Sequence, residues 1–292
     1  MFEGFTSHTV PVGNGIEIAA WRAGSGPPVL LLHGYPQTSL CWRKIAPRLA
    51  ERFTVVLADL RGYGRSSKPP GGAGHAAYSK RAMAADQLAV MRSFGFERFR
   101  LVGHDRGGRV AHRLALDHPK AVERLAVLDI CPTADMYAAT DKAFATAYYH
   151  WFFLIQPADF PERMIVNDTN HFIRHTLASW GRTDGAFDEA TLRHYVEASF
   201  DPAAVHAACE DYRAGASIDL DHDAASAAAG DRLAMALLAL WGGRGIVGRT
   251  FDVLGIWRAR SASTVAGHAL DCGHFLPEEA PEETLKALLE FL

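Results

Sequence analysis

Four short runs of uninterrupted apolar residues constrain this chain more than any other feature. They are residues 29–32 (VLLL), the centre of 53–60 (FTVVLADL), the start of FRLVGHD, and the centre of 124–130 (RLAVLDI). A strand with one covered face alternates apolar and polar residues, whereas a strand without alternation needs cover on both faces. Each run ends in glycine or in a polar turn, which marks a strand end. Residues 234–242 (AMALLALWG) and 262–270 (ASTVAGHAL) repeat the signal late in the chain, and 16–22 (IEIAAWR) reads as a strand ahead of the first run. Helical patterns lie between them at 40–50, 80–94 and 108–118. This alternation predicts an α/β fold: a mostly parallel central sheet with helices on both faces.

One interval breaks the rhythm. Residues 132–231 contain no clear core strand and read as helical and aromatic, in YYHWFFL, FIRHTLASW, TLRHYVEASF and VHAACEDYRAG. We expect a helical cap domain there, inserted into a core domain made of 1–131 and 232–292, a division that suits 292 residues. Residues 224–230 (AASAAAG) read as a surface turn. The net charge of −3 gives no case for nucleic acid or an anionic membrane as partner. The N-terminus, MFEGFTSHTVPVGNG, lacks a basic start followed by an apolar run, and no segment is apolar for long enough to span a bilayer. Cys41, Cys131, Cys209 and Cys272 are scattered without a CxxC pair, so reduced cysteines and a cytoplasmic location are expected. Neither a phosphate-binding loop nor an HExxH motif is present, and no cofactor or metal is expected.

The chemistry concentrates in Gly103-His104-Asp105-Arg106-Gly107. Small residues on both sides of a central side chain, between a strand and a helix, form a nucleophile elbow: a strained turn that leaves no room for neighbouring side chains. The helix start behind it favours an anion. Asp105 stands at the centre, where most such turns carry serine. Aspartate is also a good helix N-cap, the bland alternative. As a nucleophile, a carboxylate needs no activating base, but the ester it forms must be cut by water, and that step does.

His274, in DCGHF after the last strand, is the candidate base. A base of this kind needs an acid to fix its tautomer. The loop after the 234–242 strand has glycine and apolar residues at 245–248, with no carboxylate. Asp129, at the end of RLAVLDI, sits where sites form in open α/β sheets and is assigned the role. Asp252 is the fallback, and Asp271 is too close to His274 in sequence. The loop His33-Gly34-Tyr35-Pro36 can supply the Tyr35 N–H to an oxyanion hole, with the Arg106 N–H as second donor. Arg106 and Arg109 lie three apart on one helix face. They suit bidentate grip of a substrate carboxylate, or else ion pairs with the cap or with Asp105.

These residues, with HGYPQ at 33–37, ADLRGYGRSSKP at 58–69 and LWGGRG at 240–245, resemble the α/β-hydrolase superfamily over nearly the whole chain. Within it they resemble the haloacetate (fluoroacetate) dehalogenases. That resemblance implies Asp105 as nucleophile, Asp129 and His274 as its partners, and Arg106 and Arg109 on the substrate carboxylate. It implies a halide pocket of His150, Trp151 and Tyr212, whose alternative role is an aromatic cap core. Trp180 and His104 are expected to line the pocket. Tyr35 departs from the phenylalanine common at its position, and only its backbone is needed there. The implied partner is a small haloacid, and the implied assembly is a homodimer.

Two readings compete. An epoxide hydrolase uses the same aspartate and histidine with two acidic cap tyrosines, for which Tyr148, Tyr149, Tyr195 and Tyr212 are available. The paired arginines speak against it, and against a haloalkane substrate, since both are neutral. A non-catalytic sensor on a hydrolase fold is the other, opposed by the full Asp105, Asp129 and His274 set.

Overall fold

A computed structural model describes residues 2–292. Eight strands form one sheet: β1 (Thr6–Gly13), β2 (Ile16–Ala23), β3 (Pro28–Leu32), β4 (Thr54–Ala58), β5 (Phe99–His104), β6 (Val122–Leu128), β7 (Ala236–Gly242) and β8 (Val265–Leu270). Their order is β1-β2-β4-β3-β5-β6-β7-β8. The strands from β4 to β8 in that order are parallel, while β1 and β2 run antiparallel at one edge.

The uninterrupted apolar runs have a simple cause. Successive residues of a strand point to opposite faces, and both faces are covered. Leu30, Leu32, Leu101, Leu125 and Val127 pack on one side with Met83 and Leu88 of α2 (Lys80–Ser93) and with Val110 and Leu114 of α3 (Arg106–Asp117). Val29, Leu31, Val55, Leu57, Val102 and Leu128 pack on the other, with Leu49 of the single-turn helix α1 (Ala46–Leu49) and with Leu285 and Leu288 near the C-terminus.

Between β6 and β7 the described residues form eight helices and no strand: α4 (Thr133–Ala138), α5 (Lys142–Ala147), α6 (Tyr149–Phe153), α7 (Phe160–Asn167), α8 (Thr169–Trp180), α9 (Glu189–Ala198), α10 (Pro202–Gly215) and α11 (Ile218–Ala229). Four more follow: α12 (Ile246–Thr250), α13 (Val253–Ala259), α14 (Leu276–Glu279) and α15 (Pro281–Phe291).

Three local expectations are corrected. The helix expected over 40–50 is a 3-10 turn, Ser39–Trp42, followed by α1, which opens on Ala46-Pro47 because proline suits only the first turn of a helix. The turn expected at 224–230 is the second half of α11: alanine is the best helix former, and the stop comes only at Gly230, in the left-handed region at φ 75°. Strand β1 was not anticipated, because of its eight residues only Val10 is buried and no run of apolar residues announces it.

Candidate active site

The C-terminal ends of five adjacent parallel strands converge on one spot. Asp105 follows β5, Asp129 follows β6, Gly242 ends β7, the loop of His33 and Gly34 follows β3, and His274 lies just after β8. Brought together from across the sequence, these residues meet because the sheet places strand ends side by side.

Asp105 has φ 48°, a conformation costly for any residue with a Cβ. Glycine neighbours make room for it. A Cβ on Gly103 would strike the backbone of Gly107, one on Gly107 would strike the His33 carbonyl, and one on Gly34 would overlap Asp105 itself. The Asp105 side chain makes no capping hydrogen bond to α3, which removes the N-cap reading. Its Oδ1 instead accepts the Tyr35 N–H at 2.9 Å. Its Oδ2 lies 3.8 Å from His274 Nε2. Arg106 opens α3, where the first N–H groups have no partner within the helix.

His274 Nδ1 lies 2.6 Å from Asp129 Oδ2, and Asp129 Oδ1 accepts the Gly242 N–H at 2.9 Å. Asp129 is fully buried and, like Asp105, sits at positive φ, 52°. A carboxylate on Nδ1 fixes that nitrogen as the proton carrier and leaves Nε2 as the basic lone pair. His274 Nε2 is buried and has no hydrogen-bond partner. Burial by itself would lower the His274 pKa, but the Asp129 hydrogen bond and charge, with Asp105 adding to them, hold it above the ordinary imidazole value. Burial likewise works against the Asp105 charge, yet His274, His104 and the two arginines outweigh it and keep the carboxyl below its usual range. The alternatives to Asp129 are engaged elsewhere. Asp252 caps α13 through the Gly255 N–H at 3.0 Å, and Asp271 is exposed and pairs with Arg244 at 3.0 Å.

The two arginines are not equivalent. Arg106 gives Nε and Nη2 to the two oxygens of Asp211, at 3.0 and 2.7 Å, and stacks over the Tyr212 ring at 4.2 Å. The cap ion pair is therefore realised for Arg106, leaving only its Nη1 without a protein acceptor among the described residues. Arg109 has no carboxylate partner among the described residues. Its Nη1 donates to the Cys131 carbonyl and to Thr133 Oγ1, its Nε is buried without a partner, and its guanidinium lies 4.7 Å from the Trp151 ring. Burial and the neighbouring Arg106 charge both lower its pKa from the usual arginine value. An unneutralised buried guanidinium is costly without a counter-charge.

Residues of the helices between β6 and β7 pack against this point, with the Trp180 ring 5.5 Å from His274. His150, Trp151 and Tyr212 are all nearly fully buried. His150 Nδ1 and the Tyr212 hydroxyl have no hydrogen-bond partner, although buried polar groups nearly always have one. Burial holds His150 well below the ordinary imidazole pKa, and hence neutral. Its ring lies 5.6 Å from Tyr212 and 4.2 Å from Trp180. Tyr35 packs on Tyr212 at 5.5 Å. Trp180, the last residue of α8, accepts the His274 N–H on its carbonyl at 3.2 Å and so ties that helix to the His274 loop. His104 lies beneath His274, with ring centroids 4.7 Å apart and its Nε2 donating to the His274 carbonyl at 2.8 Å. Burial pushes the His104 pKa down to about 3.

Two carboxylates escaped the sequence analysis. Asp211 is fully buried and also takes Lys80 Nζ and, at 2.6 Å, the Tyr63 hydroxyl. Its place next to Tyr212 in EDYRAG was the available signal. Glu279 accepts the N–H groups of Gly273 at 2.9 Å, Phe275 at 2.9 Å and Arg182 at 2.7 Å, which fixes the loop on both sides of His274. No spacing in the sequence announces it.

Residues 27–281 match the α/β hydrolase fold family. The chain is similar to a fluoroacetate dehalogenase from Burkholderia sp., 48% identical over 294 residues, covering 100% of this chain and 95% of the relative. It is also similar to a soluble epoxide hydrolase from Corynebacterium sp. (strain C12), 33% identical over 290 residues, covering 98% of this chain and 96% of the relative. A solved structure from Nostoc sp. PCC 7120, described as a proposed α/β hydrolase, has a TM-score of 0.97 and 53% identity and covers 100% of this chain and 99% of its own. The described residues contain no helix long and apolar enough to cross a membrane. The chain belongs to the α/β hydrolase fold family, in its haloacetate dehalogenase branch.

Proposed function

We propose that the protein is a hydrolytic dehalogenase of haloacetates. Arg109 carries this reading furthest. It is a buried guanidinium beside the nucleophile with no protein carboxylate, and a substrate carboxylate supplies what it lacks. Arg106 Nη1 adds a further donor, since Nε and Nη2 are taken by Asp211. The helices of 132–231 act as a cap that excludes water and brings His150, Trp151 and Tyr212 to the halogen.

Asp105 attacks the halogen-bearing carbon from the side opposite the halide. The carbon–halogen bond breaks with its electron pair leaving on the halide, and a carbon–oxygen bond to Asp105 forms. The unpartnered His150 and Tyr212 donors, with the Trp151 indole, receive the halide; hydrogen bonds to a charged group contribute roughly 1.5–3 kcal/mol each. His274 Nε2 then takes a proton from water, whose oxygen attacks the Asp105 ester carbonyl. The Tyr35 N–H already meets Asp105 Oδ1, and together with the Arg106 N–H it holds the oxyanion. The ester opens, glycolate leaves, and one proton is released with each halide. Every group in this scheme belongs to the protein chain.

An epoxide hydrolase is the second reading, favoured by the free Tyr212 hydroxyl and by the resemblance to a soluble epoxide hydrolase. Halide release from fluoroacetate and chloroacetate, set beside diol formation from styrene oxide, separates the two. The dehalogenase reading predicts halide from the acids and little diol, whereas diol without halide would overturn it.

A further inference from the structure

Two clefts reach residues of the candidate site, and they differ in charge. One reaches Tyr35. It holds about 20 Å³ and is walled by Ile165, Ile173, Val205 and Ala208, with no charged residue in its lining. The other, of about 270 Å³, runs between α5, α8 and α12 to Trp180 and His274. Its basic residues are His175, Arg182, Arg249 and His274, the tyrosines Tyr148 and Tyr149 also line it, and no aspartate or glutamate does.

Both arginines have a structural task. Arg182 Nη1 donates to the carbonyls of Ser179 and Gly181 at 2.5 and 2.7 Å, at the end of α8. Arg249 Nε donates to the Gly245 carbonyl at 3.1 Å. Capping of this kind uses part of each guanidinium and leaves its charge uncompensated, since neither arginine has a carboxylate partner among the described residues. Arg182 is also fixed in place: its N–H is held by Glu279, the carboxylate that shapes the His274 loop.

We propose that this basic cleft is the port through which small monoanions reach and leave His274 and Asp105, a role that rests on the haloacid reading. A cleft lined by one sign of charge raises the local concentration of the opposite ion, and the effect fades with salt. The walls of the Tyr35 cleft offer no such attraction.

The test uses charge-removing and charge-keeping pairs, Arg182→Gln with Arg249→Gln and Arg182→Lys with Arg249→Lys. The emission of Trp180, isolated as the difference between wild type and Trp180→Phe, is quenched with iodide and with neutral acrylamide. At low salt we expect iodide to lose roughly three-fold in quenching constant in the Gln pair, with acrylamide unchanged. The Lys pair retains the iodide preference, and about 1 M inert salt abolishes it in wild type. In turnover, the Gln pair raises the KM for fluoroacetate roughly three- to ten-fold at low salt and leaves kcat unchanged. Equal iodide quenching in wild type and the Gln pair overturns the proposal. Absence of halide release with the iodide preference intact would instead overturn the haloacid reading and leave the anion port standing.

Discussion

Asp211 grips Arg106 with both carboxylate oxygens and its backbone carbonyl, and so ties helix α10 to the residue that follows the candidate nucleophile. Lys80 and Tyr63 close the same cluster from the core. Burial opposes the Asp211 charge, but Arg106 and Lys80 outweigh it and hold its carboxyl below the usual carboxylate range. Its stabilisation is therefore present above the unfolded carboxylate pKa and lost as pH falls through the lower folded value.

Removing one member of such a cluster strands the others. Asp211→Ala leaves Arg106 buried without a counter-charge, while Lys80 keeps only Asp219 at 3.4 Å, and we expect it to cost about 3–5 kcal/mol of stability. Urea unfolding at neutral pH measures this. A cost below about 1 kcal/mol, the range of exposed ion pairs, would show that the cluster does not hold α10 against α3.

The contrast between legible and illegible parts of this chain follows from range. Asp105, Asp129 and His274 could be read because each follows a strand, and strand ends meet at one edge of the sheet. The strands could be read because cover on both faces removes polar alternation, as in residues 29–32; β1, with one buried residue, shows the converse. Asp211 acts on Arg106 across 105 residues, and its role depends on how α10 seats against α3, which no local pattern encodes. Glu279 is only 5 residues from His274, yet its three backbone contacts depend on a loop that turns back on itself. The non-equivalence of Arg106 and Arg109 was hidden for the same reason: their spacing is symmetrical and their partners are not.

Tyr212 has a buried hydroxyl with no partner. If it meets the departing halide, Tyr212→Phe removes one hydrogen bond to a developing charge, about 1.5–3 kcal/mol or roughly ten- to hundred-fold in rate. The loss should be larger for fluoroacetate than for chloroacetate, because fluoride concentrates its charge more. Parallel kcat measurements on both acids check this, and equal small losses would place the hydroxyl outside the halide's reach.

The pH dependence follows from His274. In the proposed scheme neutral His274 cuts the ester; Asp105 carries no charge once esterified, so Asp129 is the partner left to hold the His274 pKa above the ordinary imidazole value. The ester-hydrolysis rate should rise with pH, with a midpoint above 6.5. Asp129→Asn removes the main raising partner and should shift the midpoint down while lowering the plateau. Asp105, held below its usual range, stays ionised throughout and adds no acid limb near neutrality. Single-turnover rates across pH in wild type and Asp129→Asn test both statements, and an unmoved midpoint would contradict the coupling.

Gly34 is a steric test of the site. A Cβ there would overlap the Asp105 side chain. Gly34→Ala should displace the nucleophile with little effect on the sheet, and a misplacement of about 1 Å costs roughly a hundred-fold in rate. Circular dichroism and kcat on one preparation separate a displaced nucleophile from a misfolded chain.

The most direct test of the central claim is to trap the covalent step. His274→Gln removes the base that cuts the ester and leaves the nucleophile untouched. Incubated with fluoroacetate, this variant should release about one fluoride per chain and gain the mass of one carboxymethyl group on the peptide that contains Asp105. A double variant that adds Asp105→Asn should show neither. Sustained turnover by His274→Gln would contradict the role of His274 in cutting the ester, and fluoride release by that variant with no adduct on Asp105 would contradict the account at its centre, because the carbon would then be attacked by something other than this aspartate.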